Sequence, residues 1–216
     1  LTYLPSPRDV PPPEAINPSS KQPVKLQADG SAPLAALVFK TSADPYVGRL
    51  TYLRIYSGAL NSNSQVWNAN KETMERIGQL YVLRGKTQEP VSQLAAGDMG
   101  AVAKLSLTTT GDTLSSREQP CLLPSLRFPS PTLGLAVHPK TKLDLDKMGS
   151  TLPRLVEEDP TLQIRKEQDT GEIILSGLGE THLEVVVERL QRKFGVDVRL
   201  EMPRVPTYAA NAPGCG

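Results

Sequence analysis

Hydrophobic positions along the chain follow two different rhythms. Between residues 33 and 120 the apolar runs are short and close together, at 34–39, 50–56, 65–67, 77–83 and 101–107. Turn-forming residues separate them, namely Asp44-Pro45, Ser57-Gly58, Asn61-Ser62-Asn63, Arg84-Gly85 and Ala96-Gly97-Asp98. Short strands punctuated this tightly, with no amphipathic helix among them, predict an antiparallel β-barrel over residues 33–124 rather than a parallel sheet.

From Pro131 the rhythm changes. Leu133, Leu135 and Val137 alternate with Gly134, Ala136 and His138, the pattern of a half-buried strand. Leu145, Met148, Leu152 and Leu155 then recur at helical spacing, and Glu157-Glu158-Asp159-Pro160 closes that helix. Pro153 falls inside it. A proline there costs about 3 kcal/mol relative to alanine, so a kink or a locally broken turn is expected. A hairpin follows, with Leu162, Ile164 and Lys166 on one face, a turn at Gln168-Asp169-Thr170-Gly171, and a return through Ile173-Ile174-Leu175. A second helix is predicted over residues 181–194, with Leu183, Val186, Val187, Leu190 and Phe194 on one stripe. Thr181 and Glu184 fit a capping box at its start, Arg192 and Lys193 complement the dipole at its end, and Gly195 suits the position just after it. Val196, Val198, Leu200 and Met202 alternate as a last strand. The order β-α-β-β-α-β over residues 129–204 is that of a ferredoxin-like domain. The fold class is therefore mainly β plus α+β, a barrel followed by a ferredoxin-like domain.

Residues 1–32 are rich in proline, including Pro11-Pro12-Pro13, and show no periodicity. They read as an extended, partly polyproline-like linker that runs along a neighbouring surface. The opening Leu1-Thr2-Tyr3-Leu4-Pro5 resembles the tail of a helix stopped by proline, and residues 205–216 form a tail assigned to neither domain.

Composition narrows the function classes. The 24 basic and 23 acidic residues leave a net charge of +1 over 216 residues, which argues against a dedicated DNA-binding domain while leaving local contacts to RNA phosphates open. Only Cys121 and Cys215 are present, so there is no disulfide framework and a reducing, cytoplasmic setting is expected. No apolar run approaches the roughly 20 residues of a membrane span, and no signal-peptide pattern opens the chain. A monomer without membrane contact is expected.

Candidate chemistry is sparse. His182 is alone at the start of its helix with no triad partner nearby in sequence, so a structural hydrogen-bonding role is expected. Neighbours on a helix point apart, so Glu157-Glu158-Asp159 reads as a solvated helix end rather than an acid–base pair. No His/Cys cluster has metal-ligand spacing. Arg49, Arg54, Arg76 and Arg84 lie on or between barrel strands, where guanidinium groups suit phosphate contacts if they are not simply a solvated face. Trp67 is expected to pack in the core. Neither a G-x-x-x-x-G-K-[ST] phosphate loop nor an Asn-Lys-x-Asp motif occurs, so no catalytic residue, cofactor or metal is expected in this chain.

Several motifs, in order, resemble elongation factor G and its relatives. They are Tyr3-Leu4-Pro5-Ser6-Pro7 with Asp9-Val10-Pro11-Pro12; Asp44-Pro45-Tyr46-Val47-Gly48-Arg49-Leu50-Thr51 with Arg54-Ile55-Tyr56-Ser57-Gly58; Glu75-Arg76-Ile77-Gly78; Ala96-Gly97-Asp98; and Thr109-Thr110-Gly111-Asp112-Thr113-Leu114. In the second half, Pro139-Lys140-Thr141-Lys142, Glu157-Glu158-Asp159-Pro160-Thr161 and Ser176-Gly177-Leu178-Gly179-Glu180-Thr181-His182-Leu183-Glu184 continue the match. The resemblance implies the second and third domains of a translational GTPase, an excised middle fragment that couples GTP state to ribosome translocation. In that reading GTP and magnesium belong to the parent's GTPase domain. The partners are that domain and the ribosome, through small-subunit RNA and protein. The family also includes ribosomal-protection and recycling paralogues, and Thr181, where the family commonly has Leu, points to a divergent member. A stand-alone ferredoxin-like ligand-binding protein is the reading of another class. The resemblance further implies that Pro129, Pro131, Gly177, Leu178, Thr181, His182, Val186 and Arg189 face the GTPase domain and form part of a fusidic-acid-type pocket, and that Arg49, Arg54, Arg76 and Arg84 touch ribosomal RNA.

Overall fold

The computed structural model describes residues 3–7, 9–44, 48–85 and 87–204. The chain divides into two units, Leu1–Arg127 and Phe128–Gly216. Pro45-Tyr46-Val47 of the second motif and the tail 205–216 lie outside the described residues.

The first unit is built from short antiparallel strands: β1 (Ala15–Ile16), β2 (Pro23–Val24), β3 (Ala35–Asp44), β4 (Gly48–Ser57), β5 (Ala59–Asn61), β6 (Gln65–Asn68), β7 (Thr73–Arg76), β8 (Leu80–Arg84), β9 (Thr87–Val91), β10 (Gln93–Ala95), β11 (Met99–Ala103) and β12 (Thr113–Ser115). Eight of them form one sheet in the order β7-β6-β12-β3-β4-β11-β8-β9, while β5 pairs with β10. The sheet curls around one core containing Val38, Leu53, Ile55, Leu60, Val66, Ile77, Leu80, Leu94, Val102 and Leu114. This is the barrel-like domain expected.

The five predicted runs overlap β3, β4, β6, β8 and β11, although the last ends at Ala103, where Lys104 turns the chain with φ +62°. The strands without a clear apolar run are short. Polar Thr73–Arg76 has only Met74 among large apolar residues, and β9 carries Pro90. That proline is tolerated because β9 lies at the sheet edge.

The segment read as a linker is part of this unit. Strand β1 pairs with β2, and Ile16 bridges to Leu122. Ala15 and Leu26 are buried with Leu37, Cys121 and Leu123 in a second small core. The proline stretch does run along a surface, but of its own unit. Pro7, Val10, Pro11, Pro12 and Pro13 line a groove with Arg54, Tyr56 and Gly97. Gly97 has φ +99°, and a Cβ there would meet the Pro7 ring at 2.7 Å, so glycine is what lets the proline lie flat.

The second unit runs β13 (Leu133–Pro139), α1 (Lys142–Glu158), β14 (Gln163–Lys166), β15 (Ile173–Gly177), α2 (Glu180–Phe194), β16 (Val198–Glu201). Its antiparallel sheet has the order β14-β15-β13-β16. Helix α1 thus carries the chain from β13 past β15 to β14, and α2 from β15 past β13 to β16, the split connections of a ferredoxin-like domain. Met148, Leu152 and Leu155 of α1 and Leu183, Val186 and Leu190 of α2 share one core with Val137, Leu175 and Val198 of the sheet.

Two local expectations change. Leu145 is exposed, and Asp144 and Thr151 are buried on α1 instead. Asp144 completes a capping box with Thr141 and also accepts from the Asp197 N–H at 3.0 Å. The Thr141 hydroxyl, then the Asp197 amide, hold its carboxyl below the usual range. The turn at Pro153 does not break, since α1 is continuous through it. Pro153 and Gly149, the residue whose carbonyl loses its donor, both face solvent, so the free carbonyl is open to hydration. Pro153→Ala is accordingly expected to stabilise the second unit by about 1–2 kcal/mol. Thermal melts followed by far-ultraviolet circular dichroism read this directly, because α1 and α2 are the only α-helices among the described residues. An unchanged or lower melting temperature would contradict it.

Candidate functional site

Most residues of the predicted GTPase-facing surface gather where β15 runs into α2. Gly177 ends β15 and is buried against the helix it precedes. A Cβ there would meet Leu183 Cδ2 at 2.8 Å and His182 Nδ1 at 3.0 Å. Gly179 is the N-cap of α2 and contributes no side-chain bond. The capping box expected at Thr181 does not form, because the helix begins at Glu180 and leaves Thr181 inside the first turn, exposed.

The turn between Gly177 and Gly179 is fixed by other means. The Thr132 N–H donates to the Gly177 carbonyl at 2.9 Å, and the Thr132 hydroxyl donates to the Leu178 carbonyl at 2.8 Å. On its other side the Leu178 N–H donates to His182 Nδ1 at 3.1 Å. Both backbone groups of Leu178 are therefore held, while its side chain is 41% exposed.

The second ring nitrogen of His182 is also occupied. Nε2 lies 3.1 Å from Oδ2 of Asp159, the C-cap of α1. Since Nδ1 accepts from a backbone amide, the proton of the neutral ring belongs on Nε2, which donates to Asp159. Burial alone would raise the Asp159 carboxyl, but hydrogen bonds from the Thr161 hydroxyl and amide and from His182 outweigh it and hold it below the usual carboxylate range. With both nitrogens engaged, the ring has no lone pair or proton to offer a substrate, and His182 is a structural hydrogen-bonder. Of the acidic run before it, read as a solvated helix end, Glu157 is exposed while Glu158 and Asp159 are engaged. Asp159 ties to α2 through His182, and Glu158 pairs with Lys193 at 2.7 Å.

Val186 does not belong to the surface: it is 1% exposed, inside the core between helices and sheet. Its neighbour Val185 is the exposed one. Thr181, Val185 and Arg189 form an exposed strip along α2, at the four-residue spacing that shares a helix face, and exposed Leu178 lies in the turn just before it. Pro129 and Pro131 lie in the segment leading to Thr132, the former exposed and the latter half-buried.

The four barrel arginines do not form one patch. Arg49 is tied down, donating to the carbonyls of Ser106 at 3.1 Å and Thr108 at 2.6 Å. Arg54 stacks over the Tyr56 ring at 5.1 Å beside the proline groove. Arg84 makes an exposed pair with Glu89 at 3.6 Å, of little energetic weight. Arg76 is exposed at the end of β7, beside Lys104 in a shallow cleft. Trp67 is half-buried rather than in the core, with the Arg117 guanidinium 5.9 Å from its ring.

A site that sequence spacing does not reveal holds the loop of residues 104–112. The buried Glu75 carboxylate accepts from the Leu107 N–H at 2.5 Å, the Thr108 N–H at 3.1 Å, the Thr108 hydroxyl, and the Ser106 hydroxyl at 3.3 Å. Asn68 donates to Thr108 Oγ1 at 3.0 Å and Asp112 at 2.9 Å, and Lys71 reaches Asp112 at 3.2 Å. Two motifs read separately, 75–78 and 109–114, are thus one network.

Buried Cys121 has its thiol pushed up to about 11 by desolvation, which leaves it inert, and Cys215 lies outside the described residues. Among the described residues, no group of three His, Cys, Asp or Glu side chains is arranged to hold a metal ion, and no helix is long and apolar enough to cross a membrane.

Comparison with known proteins agrees with this architecture unit by unit. Residues 33–117 match the family Elongation factor G domain 2, and residues 128–202 match Elongation Factor G, domain III. The chain belongs to the elongation factor G family and carries these two domains in the family's order. Among solved structures, it is similar to the protein ttk003000868 from Thermus thermophilus, with a TM-score of 0.72 and 37% identity over 82% of this chain. The match spans 27% of that protein's length.

Proposed function

We propose that this chain is the non-catalytic middle part of an elongation factor G-like translational GTPase, which couples the state of the bound nucleotide to movement on the ribosome. The observation that carries this reading is the strip Leu178, Thr181, Val185 and Arg189, an exposed surface whose leading residue is pinned at both backbone groups. Such preorganisation suits docking, since ordering a loop on contact costs binding energy. The partner across it is the parent's GTPase domain, which holds GTP and magnesium. The barrel domain meets small-subunit RNA and protein, with exposed Arg76 and Arg84 better placed for phosphates than the internally engaged Arg49. The setting is the cytoplasm.

Two measurements test it. The purified chain, titrated with a GTP analogue and magnesium in a calorimeter, is expected to give no binding heat; tight magnesium-dependent binding would sink the reading. In the full-length protein, Leu178→Asp combined with Val185→Asp is expected to lower ribosome-stimulated GTP turnover about tenfold while analogue binding stays unchanged. Unaltered turnover would remove the strip from the mechanism.

A further inference from the structure

We propose that His182 is a positioning residue for Leu178 that holds this docking tip only while its ring is neutral, so that proton uptake at Nδ1 releases it; this rests on the docking role given to Leu178 above. The geometry sets up a conflict that only one protonation state resolves. Neutral, the ring offers a lone pair at Nδ1 to the Leu178 N–H at 3.1 Å and a proton at Nε2 to Asp159 at 3.1 Å. A second proton must go on Nδ1. Two N–H groups then face each other, and the Leu178 amide loses its acceptor.

The charged surroundings are few. From α1, Asp159 contacts the ring directly, and Glu158 is already paired with Lys193 at 2.7 Å. From α2 itself, Glu180 lies in the first turn. From the sheet, the neighbour is Gly177, whose missing side chain leaves room for the ring. Asp159 keeps its bond to Nε2 in both states, whereas the Leu178 amide finds its acceptor at Nδ1 in the neutral state alone. The ring thus stays anchored on α1 as pH falls and lets go on the Leu178 side alone. Thr132 still holds the Leu178 carbonyl at 2.8 Å, so the tip pivots about that bond and the domain stays folded.

The test is nuclear magnetic resonance on the whole chain, followed from about pH 8 to about pH 5. The expected record is a bare Nδ1 and a protonated Nε2 at neutral pH. As His182 titrates, the Leu178 amide protection factor should fall about five- to tenfold, the loss of one hydrogen bond. In His182→Asn the side-chain Oδ1 takes the place of Nδ1 and accepts from Leu178, so protection is kept and its pH dependence disappears. In His182→Ala protection is lost at every pH. A ring protonated on Nδ1 at neutral pH, or Leu178 protection indifferent to the His182 titration, would overturn the proposal. If the resonances behave as expected but Leu178→Asp with Val185→Asp leaves ribosome-stimulated turnover of the full-length protein unchanged, the docking reading fails and the latch itself stands.

Discussion

Replacing Glu75 with Ala is expected to destabilise the barrel domain by about 3–5 kcal/mol, one of the two largest effects foreseen for a single substitution in this chain. Glu75 is 5% exposed, and its carboxylate is the acceptor for the amides of Leu107 and Thr108 and the hydroxyls of Thr108 and Ser106. Alanine leaves those donors without that acceptor in a loop whose strand ties, from Val38 and Arg49, lie at other groups. Each buried orphan costs about 1–3 kcal/mol, and Thr108 is fully buried. The positive groups nearby add to the cost, because Arg49 and Lys71 reach into the same loop. Glu75→Gln should fall between wild type and Ala, since one carboxamide oxygen replaces two acceptor oxygens. Urea unfolding followed by the fluorescence of Trp67, the chain's only tryptophan and a β6 residue, reports on this domain. A loss below about 1 kcal/mol for the Ala variant would mean that the loop is held by its other ties.

This network marks the boundary of what the sequence could reveal. Glu75 and Thr108 are far apart along the chain, and no local pattern links an acidic residue at the end of a polar strand to a threonine in a turn. What was legible had strong local periodicity. Helix α2 shows its apolar stripe and its Gly195 cap, with φ +61°, directly in the residues, and the order of elements in the second unit follows from alternation and helix spacing alone. Misreadings came from offsets of one or two residues. One step along a helix turns a side chain by about 100°, which is why Val185 rather than Val186 faces outward. The cap moved from Thr181 to Gly179 by a similar shift, while the genuine capping box at Thr141 uses Asp144 where the usual pattern has Glu or Gln. Residues 1–32 buried too few apolar side chains, chiefly Ala15 and Leu26, to leave a periodic trace.

The attachment of that amino-terminal segment to the barrel carries the other large effect. Gly58 closes the corner between β4 and β5 with φ +72°, and its N–H donates to the Asp29 carbonyl at 2.9 Å. A Cβ at this position would lie 2.5 Å from the Ala32 carbonyl oxygen and 2.8 Å from the Leu34 Cα and N. These are backbone atoms that cannot swing aside, so the segment 29–34 must shift and its bond to Gly58 weakens. Gly58→Ala is therefore expected to cost about 3–4 kcal/mol, combining left-handed strain of roughly 1–2 kcal/mol with an overpacking term of about 1–3. Gly111→Ala separates the two terms. It has φ +96° but nothing within 4 Å of its would-be Cβ, so it should cost about 1–2 kcal/mol, the strain alone. Both variants are read by the same Trp67 unfolding curve, and amide exchange at Ala32 should speed up in the first and not in the second. Equal costs for the two would mean that residues 32–34 do not press on the barrel corner, and that the amino-terminal segment is the loose linker its proline content suggests.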